Sequence, residues 1–587
     1  MTLVVRIKYI DVLKALAIIA VVLYHTGLMT FGYLGVDLFL VINGYLITKI
    51  LSNQVLKTNE LRSGYLAFQS SRIIRLLPPL LVVGAVCMAL GYFVMLPDDY
   101  ENLSQSVIAT NIFGNNILSA ITTKNYWDVA NEYKPLMHTW YVGVLMQFYI
   151  VYPILFYFAR LNKENPKRTL LTIISTLAVV SLLVYFSIGN AAHRFYYLPS
   201  RFFEFAVGGI AALLYNPKES KPFGKAYIYL CYILLLALLF VDGEFIPSAV
   251  RLVAVVGLSC VIVCSQDVLE NKITGNVILA KIGAASYSIF IWHQVLLAFY
   301  RYTVTSKFTI GSYAILLAAT AVLSWLSYHF IEQKAADALR TKRGKALLYS
   351  LVSIAFLALT GFAGYIFMRA GVVRDVPELS ISKDNIHRGM HAEYVDRVYQ
   401  YDKPFTTDKP HWFIVGDSFG RDFVNIILES PVADSVEISY SQNYGKEFER
   451  FRMADKVFLA SQSLTERLVT EIELLCMSQG QTPENIVIVG IKNFGTSNGQ
   501  VYTKRHQPDY FEQYTEVADA KRYIDDNKHF AQLYGDRYLD LMSHVVNDKN
   551  EVRVFTPNHH YMSADCRHLS KGGAVFYGRE IEWKRFL

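Results

Sequence analysis

Two short runs toward the end of the 587-residue chain carry the residue types of nucleophilic catalysis. The first, HWFIVGDSFGRDFVNIILES, reads as a strand, a tight turn at Gly416 and a helix, which sets Ser418 at the carboxyl end of the strand. Backbone N–H groups at the helix N-terminus there can stabilise an oxyanion. The second, ADCRHLSKGGAVF, holds Asp565 and His568 three positions apart, on one face of a turn or helix. His568 can act as general base for Ser418 while Asp565 orients the imidazole. Gly, Asp and Ser abound in turns, so GDS alone says little. The downstream Asp-x-x-His-Leu-Ser makes the reading specific.

A second set lies in apolar sequence, where a polar side chain is expensive and needs an explanation. Asp11, Lys14 and His25 fall in the first apolar run. Lys14 and His25 are about three helical turns apart and share a face, with His25 roughly 16 Å further along the axis. Asp11 is one turn before Lys14 and can pair with it. Imidazole is the best general base at neutral pH. The plain alternative makes Asp11 and Lys14 interfacial and His25 a structural hydrogen-bonding group. Arg72 and Arg75, in SSRIIRLLPPL, also share a face, and paired guanidinium groups suit phosphate. Positive-inside anchoring explains the same pair. His138 opens the fourth apolar run, Glu204 follows Arg201 in the sixth, and His293 lies in SYSIFIWHQ. For Glu204 and His293, helix packing is as good an account as chemistry.

The elements that position these groups follow from composition. The chain is 53% hydrophobic and 18% charged, against about 25% charged in a soluble chain. Apolar runs near 10–28, 33–51, 77–96, 138–159, 169–188, 200–215, 226–241, 248–265, 280–300, 309–331 and 347–369 each approach the roughly 20 residues that cross a bilayer. They predict a polytopic α-helical membrane domain of about ten core helices plus one linking helix. Arg6 and Lys8 precede the first run as in a signal peptide, but Asp11 and Lys14 interrupt it and more runs follow. It reads as the first transmembrane helix.

Basic residues gather in alternate loops: Lys49, Lys57, Arg62, Arg72 and Arg75; Arg160, Lys163, Lys167 and Arg168; Lys218, Lys221 and Lys225; Lys334, Arg340, Lys342, Arg343 and Lys345. The third loop instead holds Asp98, Asp99, Glu101, Asp128 and Glu132. This pattern puts the N-terminus in the cytoplasm and everything after about residue 370 outside. It also accounts for the net charge of +7, so no nucleic-acid partner is expected.

Residues 374–587 are polar, with short apolar runs at 411–415, 455–460 and 485–490 and helical stretches such as 464–478 between them. That alternation predicts a parallel α/β sheet. The expected domains are 1–335 in the membrane, a linker with the eleventh helix at 336–373, an extension at 374–410, and the α/β domain at 411–587. Cys87, Cys231, Cys260 and Cys264 fall in apolar runs, and no cysteine pair has zinc-ligand spacing. No metal site is expected. Cys476 and Cys566 lie in the outer half, where an oxidising compartment permits a disulfide.

IDVLKALAIIAVVLYH, GYLGVDLFLVINGYLI, RIIRLLPP, HTWYVGVLMQFY, SRFFEFAVGG, SYSIFIWHQ and SYHFIEQ follow one another in the order seen in the membrane acyltransferase-3 family. Residues 1 to about 335 resemble that family. The resemblance implies O-acylation of lipopolysaccharide, peptidoglycan or other glycans, with acetyl-CoA as cytoplasmic donor. It also implies His25 as the essential histidine, and Arg72 and Arg75 as the basic motif for the coenzyme. Lys14 stands where the family has arginine, which keeps the charge and loses the bidentate fork. Asn43 replaces a common serine, and Leu145 and Met146 occupy positions that are often acidic beside His138. Residues 411–587 are similar to SGNH hydrolases, a family of serine esterases and glycan acetyltransferases. That resemblance implies Asn493, in VIVGIKNFG, as the oxyanion-hole asparagine, and Ser461 or Ser463, in FLASQS, in place of an absent glycine.

These readings predict a multi-pass O-acetyltransferase of the bacterial inner (plasma) membrane with an extracytoplasmic C-terminal domain. Acetyl groups from acetyl-CoA pass through the bundle by chemistry at His25. Ser418, Asp565 and His568 then transfer them to a surface glycan, foremost the lipopolysaccharide O-antigen. No tightly bound cofactor is expected; acetyl-CoA, the glycan and the lipid bilayer are the partners. The alternatives are a peptidoglycan acceptor, an outer-domain acetylesterase, and a transporter or flippase, for which an activated serine has no use.

Overall fold

The computed structural model describes residues 8–55, 61–122, 129–215, 225–241, 246–264, 276–384, 394–517 and 519–587. Arg6, Lys57, Asp128, Lys218 and Lys221, used above to orient the chain, lie outside them. There are two compact units, Met1–Leu90 with Leu103–Gly364, and Gly91–Asn102 with Tyr365–Leu587.

The first unit is helical. Its main helices are α1 (Lys8–His25), α2 (Gly35–Val55), α3 (Leu61–Val94), α4 (Trp140–Leu161), α5 (Pro166–Ser187), α6 (Leu198–Leu214), α7 (Lys225–Phe240), α8 (Ser248–Val263), α9 (Val277–Ala284), α10 (Ser286–Thr303), α11 (Ile310–Ser327) and α12 (Lys342–Met368). Every apolar run found in the sequence falls on one of them. Among the described residues six are long and apolar enough to cross a membrane, or seven if the bent pair α9–α10 forms one span. The helices at α7 and α8 are apolar but shorter.

Three details depart from the sequence reading. The third helix begins at Leu61 rather than near 77, because Tyr65 and Phe68 pack their rings on Tyr157 and Tyr149 of α4. Arg72 and Arg75 are therefore helical and not in a loop. The run near 280–300 bends by 69° between α9 and α10. The sequence motif YHFIEQ after α11 is a π-helix, Tyr328–Gln333, a widened turn that recurs at functional sites.

Lipid tails are as apolar as leucine, so helices in a bilayer associate through close packing, and small residues permit it. A Cβ on Gly208 would lie 2.0 Å from the Val41 carbonyl oxygen, and one on Gly44 1.9 Å from that of Phe205, so α2 and α6 meet backbone to backbone. Gly283 of α9 does the same against Asp11 of α1, where a Cβ would come within 1.6 Å of the carbonyl.

The second unit is α/β. Strands β1 (His411–Val415), β2 (Glu437–Ser441), β3 (Lys456–Ala460), β4 (Ile486–Val489) and β6 (Tyr538–Leu539) form one sheet in the order β2-β1-β3-β4-β6. All its pairings are parallel. A small antiparallel ribbon joins β5 (Tyr514–Glu516) to β7 (Glu551–Arg553). Helices α13 (Ser418–Leu428), α14 (Glu466–Ser478) and α15 (Lys571–Glu580) connect and flank the main sheet. Its core includes Trp412, Phe413, Phe458 and Trp583. Residues 394–402 of the extension lie along α13, where Arg397 donates to Asn425 at 2.7 Å and Glu429 at 2.8 Å. Cys476 and Cys566 are separate, buried free thiols.

Gly208→Leu should abolish a monodisperse detergent-solubilised protein, read by size-exclusion chromatography. Gly257→Leu, on α8 where nothing lies within 4 Å of an added Cβ, should not.

Candidate active site

Parallel strands end together, and the candidate nucleophile stands at such an end. Gly416 follows β1 with φ +148 and a Cβ position 1.8 Å from the Ala460 carbonyl oxygen, so only glycine fits the turn. Ser418 then opens α13, and Asp417 caps that helix by accepting from the Phe419 N–H at 2.9 Å. His568 Nε2 lies 2.9 Å from Ser418 Oγ, and His568 Nδ1 lies 2.6 Å from Asp565 Oδ2. Asp565 and His568 share a turn, not a helix. The other Asp565 oxygen accepts the backbone N–H of Arg567 at 2.9 Å and of His568 at 2.7 Å. Between them Cys566 adopts φ +67, a costly conformation outside glycine. Burial works against the Asp565 charge. The hydrogen bonds and charge of His568, with the Arg567 N–H, outweigh it and hold the carboxyl well below the usual range.

Neighbouring loops brace this chain of groups. After β3, Ser461 Oγ and the Gln462 N–H both donate to Asp417, and the Ser463 N–H donates to Ser461 Oγ. Of Ser461 and Ser463, either of which was expected in place of a glycine, Ser461 holds the nucleophile turn and Ser463 bonds Ser461. After β4, Asn493 is buried with Oδ1 accepting from the Gly495 N–H at 2.9 Å. Phe494 N–H bonds the Cys566 carbonyl at 3.0 Å, and Asn498 donates to the carbonyls of Ser563 and Ala564. Lys492 and Asp422 form a buried ion pair at 2.7 Å.

In the helical unit the candidate residues separate into three groups. Asp11, Lys14, Arg72 and Arg75 line one cavity of about 500 Å³, with Tyr287 and Glu332. That volume is in the ordinary range for a ligand site. Lys14 pairs with Asp11 at 3.5 Å, and Arg72 lies over the rings of Phe68 and Tyr149. Asn43 bridges Tyr141 and Tyr149, each at 3.0 Å, on the same wall, beside Leu145. Glu332 accepts from Ser288.

His25 is not on that cavity. It forms a second group with His293 and His138, all buried. His25 Nδ1 is 2.9 Å from His293 Nε2, and His293 Nδ1 is 3.1 Å from the Ile289 carbonyl. A carbonyl only accepts, so His293 Nδ1 carries a proton. With both rings neutral, His25 Nδ1–H then donates to His293, and His25 Nε2 is the basic nitrogen. The His138 ring is 5.5 Å from His293, and neither His138 nitrogen has a hydrogen-bond partner among the described residues. Phe290 lines the cavity and also lies 5.0 Å from the His138 ring and 5.9 Å from that of His293. Its side chain thus touches both groups. Glu204 belongs to neither. Arg201 stands 3.3 Å from it and 2.7 Å from Asp37, and the three buried side chains join α6 to α2.

The family described as "Acyltransferase domain" matches residues 7–329, which carry most of the cavity lining and the three histidines. The chain belongs to this acyltransferase family. A Staphylococcus aureus (strain COL) protein named "Putative O-acetyltransferase SACOL0978" is 28% identical over 355 residues, 56% of this chain and 57% of that protein. The "O-acetyltransferase OatA" of Staphylococcus aureus (strain NCTC 8325 / PS 47) is 27% identical over 360 residues, 55% of this chain and 56% of OatA. The chain thus spans little more than half the length of the relatives it matches. No solved structure matches.

Within the acyltransferase unit, Tyr287, Phe290 and Glu332 were not singled out by sequence reasoning. SYSIFIWHQ and SYHFIEQ contain all three, but only the bend at Ala285 and the π-helix turn them to the cavity. Asp422 and Lys492 were also missed. A lysine closing the apolar run NIVIVGIK was the available signal. In the detergent-solubilised chain a fluorophosphonate should label Ser418. Asp565→Asn should slow that labelling by at least about 100-fold, because the imidazole takes the wrong tautomer. An unchanged rate would mean that the Asp565–His568 contact does not activate the serine.

Proposed function

We propose that this protein is an O-acetyltransferase of the bacterial inner membrane that moves acetyl groups outward to a surface glycan, foremost the lipopolysaccharide O-antigen. The observation that carries the reading is Ser418 within 2.9 Å of a histidine that is itself held by Asp565, in a chain of the acyltransferase family. The names of its O-acetyltransferase relatives support the same reaction.

Acetyl-CoA binds from the cytoplasm, with Arg72, Arg75 and Lys14 holding its phosphates at the basic cavity; Asp11 sets the position of Lys14. His25 serves the first transfer as a base: an acceptor hydroxyl bonds the acetyl carbon as the thioester C–S bond breaks, and its proton passes through His25 to the thiolate of coenzyme A. Outside, Ser418 Oγ attacks that acetyl ester as His568 accepts the hydroxyl proton, and the carrier hydroxyl leaves with the proton that His568 returns. The SGNH-like arrangement uses Asn493 as an oxyanion donor. A sugar hydroxyl then attacks the acetyl-serine, passes its proton to His568, and leaves as the ester while Ser418 recovers its proton. Water in place of the sugar gives an acetylesterase with the same residues.

In cells producing the protein with its glycan, Ser418→Ala and His25→Ala should each abolish glycan acetylation, read by mass spectrometry of the polysaccharide. Only Ser418→Ala should still exchange acetyl-CoA with labelled coenzyme A in detergent. Glycan acetylation that survives Ser418→Ala would make the helical unit the whole transferase. Higher acetylation in Ser418→Ala cells would favour the esterase.

A further inference from the structure

The Lys492–Asp422 pair is a buried ion pair of the α/β unit outside the triad. Each side chain is 2% exposed. Desolvating two charges commonly costs as much as their attraction returns, so a buried pair is weak evidence of a stabilising role. What it contacts is more informative. Asp422 lies four residues after Ser418 on α13, and its Oδ2 accepts the Leu569 N–H at 3.0 Å as well as Lys492 Nζ at 2.7 Å. Leu569 directly follows His568. Lys492 directly precedes Asn493, and its ammonium sits 3.2 Å from the Phe419 ring centroid, beside the nucleophile. One carboxylate therefore joins the nucleophile helix, the base loop and the loop after β4.

Besides the Ser418–His568 contact itself and a Phe419–His568 ring contact at 6.4 Å, the base loop has restraints that run elsewhere. Asp565 and Ser563 bond within the loop itself, and Phe494 and Asn498 fasten it to the segment after β4. The hydrogen bond from Leu569 to Asp422 is the backbone tie beside His568. We propose that Asp422 is a positioning residue for the Ser418–His568 contact, acting through the Leu569 N–H, and that Lys492 holds its carboxylate in place. This inference rests on the Ser418 reading given above.

The test separates the hydrogen bond from the charge. Asp422→Leu with Lys492→Met removes both charges and the acceptor, whereas Asp422→Asn with Lys492→Met removes the charges and keeps an acceptor for Leu569. Turnover of p-nitrophenyl acetate and the rate of Ser418 labelling by a fluorophosphonate are measured on the full chain in detergent, with thermal unfolding as the check on folding. The leucine variant should unfold near the wild-type temperature yet lose about 100-fold in kcat at unchanged KM, the scale of a displacement near 1 Å. The asparagine variant should stay within about threefold of wild type. If leucine unfolds the chain, alanine at 422 provides the same comparison. Wild-type rates in the leucine or alanine variant, or equal losses in the acceptor-free and asparagine variants, would overturn the role of the acceptor. Wild-type labelling of Ser418 without glycan acetylation in cells would defeat the proposed function and leave this junction standing. A wild-type Ser418 that does not label would overturn both.

Discussion

Ser418 and His568 come within 2.9 Å of each other although 150 residues separate them. Neither residue type nor local turn chemistry can arrange that. Parallel strands can, because each must be reached by a crossover and all then end on one edge. The ends of β1, β3 and β4 deliver Ser418, Ser461 and Asn493 to that edge. Hydrogen bonds between the loops then replace sheet pairing as the source of order: Ser461 and Gln462 hold Asp417, Phe494 holds Cys566, and Asp422 holds Leu569. The strained φ of Cys566 is tolerated because contacts on both sides over-determine the turn.

A different constraint governs the helical unit. Polar groups within a bundle must satisfy one another or face a cavity. Arg201 meets this by standing between Asp37 and Glu204, and His293 by bonding His25 and the Ile289 carbonyl. The basic residues at the cavity meet it by lining open volume. Backbone-to-backbone packing at Gly44, Gly208 and Gly283 makes these positions specific. The cavity and the histidine group remain distinct, and Phe290 lies against both.

The family and the α/β character of the second unit were legible in motifs and in the alternation of short apolar runs. The strands at 411–415, 455–460 and 485–490 lie within one residue of their observed bounds. Periodicity was less informative where tertiary packing overrides it. Residues 61–76 are helical because aromatic rings pack along α4. The run near 280–300 bends because α9 docks on α1 through Gly283. Arg72, Arg75, Asp11 and Lys14 share a cavity, whereas His25, on the same helix face as Lys14, does not reach it; spacing along one helix cannot reveal surroundings supplied by others. The Asp422–Lys492 junction was invisible for the same reason: it exists only once three distant segments meet.

The central claim is that acetyl groups leave a cytoplasmic donor and reach Ser418. Reconstituted vesicles with the donor face outward, supplied with isotopically labelled acetyl-CoA and no glycan, allow a direct measurement. The account predicts a labelled acetyl ester on the Ser418 peptide after acid quench of the wild type, absent from His25→Ala and from His568→Asn. Labelled glycan formed on adding acceptor, with Ser418 never acetylated, would contradict it.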